Sequence, residues 1–173
     1  MLCSNCHKAE VPIERVALPY TSNLPNVIAD GLERGLCPLC GEGFTGFPRM
    51  RELSHLVLSS VIGKPWRLAP EEVRWIRMSM GMKGEALADT LGVTPSQLSR
   101  WENAAAPTSA LADRLLRMLA ASFHQVPAPD LRVIDGTHAE PIVMRLELKR
   151  SGWRIAESTA ANPPSRKRKS KAA

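Results

Sequence analysis

Cysteine is absent from the chain after residue 40, and this restricts what its four cysteines can do. Cys3, Cys6, Cys37 and Cys40 lie together near the N-terminus, so a disulfide elsewhere is excluded. No apolar run approaches the roughly 20 residues of a membrane-spanning helix, and we predict no membrane partner. The start Met1-Leu2-Cys3 leaves no room for a signal peptide. We therefore expect reduced thiols and a cytoplasmic protein.

Residue combinations typical of catalysis are also missing. The four histidines are scattered and show no metal-ligand spacing: His7, His55, His124 and His138. No Ser/His/Asp arrangement and no pair of facing carboxylates stands out along the chain. We therefore expect that the protein is not an enzyme.

Net positive charge is scarce outside the last residues, although the formal net charge of the chain is +6. A C-terminal cluster supplies five of these charges: Arg166, Lys167, Arg168, Lys169 and Lys171. With the preceding Pro163-Pro164, this composition predicts a disordered basic tail over 161–173. Such a tail contacts phosphates without sequence preference or only aids solubility, and the sequence leaves both readings open. Because the remaining chain is close to neutral, net charge alone does not indicate nucleic-acid binding.

The cysteines form two C-x-x-C pairs, a spacing that directs two sulfurs of each pair toward one point. Two such pairs joined by a loop predict a tetrahedral zinc site with ligands Cys3, Cys6, Cys37 and Cys40. Two disulfides would suit a secreted chain, and a redox site would need only one pair. Cys6-His7 also completes a haem-attachment motif, but that chemistry requires export and leaves the second pair unused. We predict one structural zinc per chain, needed for the folding of residues 1–47.

The pattern of apolar and turn residues predicts an α+β protein. A small zinc-ribbon-like β module is followed by an all-α helix-turn-helix domain, with a short β ribbon near the C-terminus. The ribbon rests on the alternation of Met144, Leu146 and Leu148 with charged residues. The predicted parts are a zinc-binding module with an exit helix (1–62), a linker (63–69), a DNA-binding domain (70–124), a β-ribbon extension (125–160) and the tail (161–173).

Residues 81–102 have the pattern of a helix-turn-helix motif. Ala88 is small enough for two helices to cross closely, and Gly92 permits the left-handed turn between them. Thr94 can cap the next helix, in which Pro95 fits the first position and Gln97 would complete a capping box. This spacing predicts a short recognition helix beginning at Pro95.

The recognition helix is predicted to read DNA with Ser96, Gln97 and Arg100, while its apolar residues face inward. N-terminal side chains of such a helix reach base edges, and Arg is the most frequent reader of guanine. Asn103 is either a phosphate ligand or the C-terminal cap of this helix. A further helix over 108–123 is expected to direct its leucines and methionine toward the core: Leu111, Leu115, Met118 and Leu119.

The chain resembles the Xre-type helix-turn-helix proteins and, more narrowly, the MqsA-type antitoxins, over about residues 1–123. The resemblance rests on the cysteine pairs, on Pro19-Tyr20-Thr21 and on the run 98–102, Leu-Ser-Arg-Trp-Glu. It implies that the zinc module binds and neutralises a small ribonuclease toxin. It also implies a homodimer on double-stranded DNA, at a palindromic operator where it represses its own operon, with Ser96 and Arg100 as base readers.

The chain departs from this family at several positions. Ser96 stands where Asn is usual, which implies a different operator, and Gly84 replaces a Gln that would contact phosphate or base. Arg77 and Glu102 resemble a family pair that bridges two helices. The segment after residue 124 is extra, and it either packs on the helical domain or forms another partner site. Two alternatives stay open: a stand-alone transcription regulator, and a protein-binding adaptor without sequence-specific DNA binding.

Overall fold

The computed structural model describes residues 1–160, and the predicted basic tail at 161–173 lies outside them. Strands and helices are grouped in separate stretches of the chain, as expected for the α+β class. The elements are β1 (Ile13–Thr21), β2 (Leu24–Leu36), β3 (Gly43–Gly46), α1 (Met50–Gly63), β4 (Trp66–Arg67), α2 (Pro70–Ser79), α3 (Gly84–Thr90), α4 (Pro95–Glu102), α5 (Ala110–His124), a 3-10 turn (Leu131–Val133), β5 (Asp135–Ala139), β6 (Met144–Lys149) and β7 (Gly152–Ser158). Within residues 1–160, no helix is long and apolar enough to cross a membrane.

The main sheet combines strands from both ends of the chain. Its order is β1-β2-β6-β7, and β3 also pairs with β2. The predicted C-terminal ribbon is the antiparallel hairpin β6–β7, which turns at Arg150-Ser151, so that Gly152, expected in the turn, is the first residue of β7. β6 runs parallel to β2, with Val27 opposite Met144. The ribbon therefore does more than pack on the helical domain. β6 pairs with the edge of β2 that β1 leaves free, so the ribbon is part of the N-terminal sheet.

One hydrophobic core joins the sheet to the helices. It includes Val27 of β2, Val57 of α1, Ile76 of α2 and Leu98 of α4, all of them buried. The segment 63–69 crosses this core and differs from the expected linker, since its side chains are mostly buried and β4 pairs with β5. The strand module and the helical domain are thus packed against each other.

A buried ion pair on α5 holds the segment 63–69 in place. Arg117 Nε donates to Asp113 Oδ2 at 2.8 Å, and both side chains are excluded from solvent. The Arg117 guanidinium also donates to three backbone carbonyls at 2.5–2.8 Å: those of Ile62, Lys64 and Trp66. Every polar atom of this guanidinium therefore has a partner, which is what a buried charge requires.

A second buried ion pair connects α2 with the chain beyond residue 138. Lys64 Nζ pairs with Glu72 and donates to the carbonyl of Glu140, while Glu72 Oε1 accepts from the Ile142 N–H at 2.8 Å. Burial raises the pKa of Glu72 and lowers the pKa of Lys64, and each charge opposes the shift of the other. Trp66 Nε1 donates to the same Glu140 carbonyl at 2.7 Å. The C-terminal extension is thereby bonded to the first helix of the helix-turn-helix domain.

The prediction for α5 was wrong about which face is buried. Leu111 is 77% exposed and Leu115 37% exposed, and Met118 and Phe123 are exposed as well. The buried face consists of small residues around the ion pair, together with Leu116: Ala112, Ala120 and Ala121. Small side chains allow α5 to approach its neighbours closely, and three buried backbone carbonyls accept hydrogen bonds from the Arg117 guanidinium. An apolar stripe consequently faces solvent.

Candidate metal centre and nucleic-acid interface

The four cysteines come together at the end of the sheet formed by β1, β2 and β3. Their sulfur atoms all lie within 4.8 Å of one another, and none forms a disulfide. Two contacts cross between the pairs, Cys3 Sγ to Cys40 Sγ at 3.6 Å and Cys6 Sγ to Cys37 Sγ at 3.7 Å. Four sulfurs from two turns can hold a metal ion with no coordination position left open.

Each C-x-x-C turn has the same backbone geometry. The residue after the second cysteine, His7 or Gly41, has a positive φ of 54° or 72°. Its N–H donates to the carbonyl of the first cysteine, at 3.1 Å for Cys3 and 3.0 Å for Cys37. These turns set the direction of both sulfurs in each pair, so the backbone places the sulfurs and the sequence spacing is sufficient to predict the cluster.

The thiols differ in their affinity for protons. The pKa of Cys3 is lowered to about 6, chiefly by a hydrogen bond from the backbone N–H of Cys6. The backbone N–H of Cys40 likewise lowers the pKa of Cys37. The Glu42 N–H lowers the pKa of Cys40, but burial and the other sulfurs outweigh it and raise that pKa to about 11. Because metals bind thiolates, metal binding must displace the proton of Cys40.

Metal removal is expected to loosen the two knuckles and leave the sheet and helices folded. Cys3, Cys37 and Val11 form a small cluster of their own, whereas Val27 and Leu32 of β2 belong to the main core. We therefore expect the metal to stabilise the two knuckles and not, as the sequence suggested, all of residues 1–47. Hydrogen exchange with and without a chelator should show lost protection at 1–12 and 37–42 only. Loss of protection throughout α2–α5 would contradict this prediction.

The turn between α3 and α4 has the predicted geometry. Gly92 has a φ of +67°, and the Val93 N–H donates to the Ala88 carbonyl at 2.9 Å. Ala88 is fully buried where the helices cross. Thr94 caps α4 by accepting the Gln97 N–H at 3.2 Å. The structure shows this half of the predicted capping box, and the Gln97 side chain makes no hydrogen bond within residues 1–160.

The predicted base-reading residues form one exposed face of α4. Ser96, Gln97 and Arg100 are exposed, and their side chains make no hydrogen bond with the part of the chain that the structure describes. Leu98 and Trp101 occupy the opposite, buried face, as predicted. A short helix with free polar side chains on its first turns can enter a major groove and contact base edges.

The position of α4 is maintained by an ion pair with α2. Arg77 donates to both carboxylate oxygens of Glu102, at 2.6 and 2.9 Å, and this bonding raises the pKa of Arg77. Asn103 donates to the Ser99 carbonyl at 2.8 Å and accepts from Arg74 at 2.5 Å. The side chain of Asn103 is therefore engaged as the C-terminal cap of α4, which leaves a phosphate contact from this residue as a prediction.

Comparison with known proteins bears on this helical region. Residues 73–125 match the helix-turn-helix family model HTH_3, and the matched segment runs from α2 to the end of α5. No curated protein and no solved structure matched the chain. The four-cysteine cluster and the hairpin β6–β7 lie outside the matched segment. The chain thus carries an Xre-type helix-turn-helix domain at residues 73–125, which indicates a DNA-binding regulator.

Proposed function

We propose that the protein is a zinc-containing transcriptional repressor that acts as the antitoxin of a type II toxin–antitoxin pair. The observation that carries the regulatory part is the free polar face of α4, Ser96, Gln97 and Arg100, on a helix that the Arg77–Glu102 pair holds in position. It would work by binding and not by catalysis, in the cytoplasm, where DNA and reduced thiols coexist.

Zinc is the metal that the cysteine cluster fits best. Four thiolates around Zn²⁺ at about 2.3 Å in a tetrahedron place the sulfurs about 3.8 Å apart. The contacts at 3.6 and 3.7 Å agree with this spacing. Zinc would hold the knuckles and take no part in a reaction. Metal analysis of protein prepared without chelator tests this, with one zinc per chain expected.

Operator binding by a homodimer follows from the size of α4. One short recognition helix buries too little surface for tight binding, and paired half-sites about one helical turn apart solve this problem. The exposed apolar stripe on α5 suits the second copy, because such a surface is unfavourable in water and an isologous dimer would cover both copies at once. We propose that two copies contact each other through Leu111, Leu115 and Met118.

Replacing Leu115 with arginine is expected to convert the dimer to monomer and to weaken operator binding strongly. A charge in the centre of an apolar contact stays unpaired in each copy, which costs several kcal/mol. Analytical ultracentrifugation checks the mass, and Arg114→Ala on the adjacent position is the matched control. A dimer that persists in the Leu115→Arg variant would place the interface elsewhere.

Gly84→Gln is expected to strengthen operator binding about two- to tenfold per half-site, the value of one added hydrogen bond. Gly84 is the first residue of α3, and a Cβ added there would meet no atom within 4 Å. The new amide would reach phosphate or base at the N-terminus of the helix, as the family resemblance implies. Gly84→Ala is the control, because it stiffens the backbone equally without supplying an amide. Equal affinities of the two variants would exclude this contact.

In the antitoxin part of the proposal, the N-terminal module binds the toxin. The outer edge of β1 is unpaired within residues 1–160, and such an edge can accept a strand from a partner. The test is co-expression with the product of the neighbouring gene, followed by co-purification and a ribonuclease assay. Inhibition of a small ribonuclease by residues 1–160 supports the antitoxin role, and absence of any partner supports a stand-alone regulator.

An adaptor without sequence-specific DNA binding is the second candidate. Three features favour this function. Gly84 has no side chain that could contact DNA, the Asn103 side chain is hydrogen-bonded as the C-terminal cap of α4, and the helical domain has almost no net charge. Selection of bound fragments from random DNA separates the two functions. A palindromic consensus supports the repressor, whereas binding that depends on salt alone supports the adaptor.

A further inference from the structure

A cavity of about 510 Å³ lies between the strand module and the helix-turn-helix domain. β1 contributes Tyr20, α1 contributes His55, α2 contributes Trp75 and α5 contributes His124 to its walls. Cavities of roughly 300–1,000 Å³ are the usual size of small-molecule sites in proteins. Its place between two parts of the fold is also where such sites occur most often.

The polar groups of this cavity favour negative charge. Arg51, His55 and His124 line it, and its ten lining residues include no aspartate or glutamate. The neighbouring carboxylate on α1, Glu52, is already engaged, since its Oε1 accepts the Trp153 N–H at 2.7 Å. Arg51 is exposed and has no ion-pair partner in the described chain. An arginine, two imidazoles and no acid form a pocket suited to an anion.

Hydrogen bonds within the walls hold several of these groups in position before any ligand arrives. The hydroxyls of Tyr20 and Ser54 are bonded at 3.0 Å, and Ser79 Oγ shares a hydrogen bond with His124 Nε2 at 3.0 Å. Burial, and then the charge of His55, lowers the pKa of His124, which favours its neutral imidazole.

The deeper part of the cavity is apolar and aromatic. Trp75 is 7% exposed and Leu58 is buried. The Tyr20 and Trp75 rings meet edge to face, with centroids 6.3 Å apart. Such a surface accepts a flat apolar group, while Arg51 stands nearer to solvent where a charged group would lie.

We propose that this cavity binds a small organic anion in which a carboxylate or phosphate is joined to a flat aromatic body. Arg51 and His55 bind the anionic group, and Trp75 packs against the ring. This proposal is independent of the proposed DNA binding, because none of the cavity residues belongs to the exposed face of α4 or to the cysteine cluster. It shares Tyr20 of β1 with the strand that is proposed to bind the toxin.

The test measures binding of three related probes to the full chain by calorimetry: 1-naphthoate, 1-naphthyl phosphate and the neutral 1-naphthamide. We expect one site per chain and about tenfold tighter binding of an anion than of the amide, the value of a charge-assisted hydrogen bond. Arg51→Ala and His55→Ala should each weaken anion binding about tenfold by the same reasoning. Arg15→Ala, which removes an exposed arginine outside the cavity, should leave binding unchanged.

The results distinguish a carboxylate site from a phosphate site, and both from the absence of an anion site. Binding of only the carboxylate or only the phosphate supports the site and identifies its ligand class. Three results would overturn the proposal. They are an affinity for 1-naphthamide equal to that for the anions, a loss of anion binding in Arg15→Ala as large as in Arg51→Ala, and no saturable binding of either anion up to about 5 mM. Arg51 is exposed, so its variant should keep the parent's circular dichroism and melting temperature, which separates lost binding from lost folding.

Discussion

Arg117→Met is expected to lower the free energy of unfolding by about 3–5 kcal/mol, because it breaks a fully buried ion pair. Asp113 would stay buried without its counter-charge. The three carbonyls that Arg117 bonds would also lose their donors. Urea unfolding followed by circular dichroism measures the change. For a chain of this size, such a loss is a large part of the total stability.

Two further variants distinguish the ion pair from other causes of instability. Arg114→Ala on the same helix removes a partly exposed arginine whose side chain reaches only the Ala110 carbonyl, and should change stability by less than about 1 kcal/mol. The double variant Asp113→Asn with Arg117→Met should recover part of the loss, since no unpaired charge remains and the amide oxygen at position 113 can still accept the Leu68 N–H. If the double variant were less stable than Arg117→Met alone, the buried charge would not be the cause.

Arg100→Ala is expected to weaken operator binding by about 1–3 kcal/mol per half-site and to relax specificity at one base pair. Across two half-sites this amounts to about thirtyfold or more in affinity. The reason is geometric, because Arg100 is exposed on α4 and has no partner in the described chain that the substitution would remove. Folding should be unchanged, so fluorescence anisotropy with operator and random DNA reports binding alone.

A charge control is needed because any lost arginine weakens attraction to DNA. Arg15→Ala removes the same charge from β1 and should lower affinity for operator and random DNA equally and slightly. If Arg100→Ala behaved in the same way, or left operator affinity unchanged, the adaptor function would replace the repressor function. The effect of residues 166–173 on random DNA can be measured in the same assay by truncation after Ser165.

The sequence by itself determined the parts of the fold that depend on local spacing. Two C-x-x-C turns direct their sulfurs through backbone geometry within a few residues, so the metal cluster was predictable from Cys3, Cys6, Cys37 and Cys40. The same holds for the helix-turn-helix motif, where the left-handed turn at Gly92 and the cap at Thr94 are local features. The exposed face of α4 follows from helical periodicity once its first residue is known.

Only the tertiary structure decided how these parts meet. The parallel pairing of β6 with β2 joins residues more than 100 positions apart, and nothing in either strand specifies its partner. On α5, the buried face was decided by close packing of alanines and by carbonyls that satisfy Arg117, and this outweighed the apolar stripe that includes Leu115. The cavity beside Trp75 likewise exists because four distant elements converge there. Side chains brought together by long-range packing leave no periodic signal in the sequence, whereas turns and helix caps do.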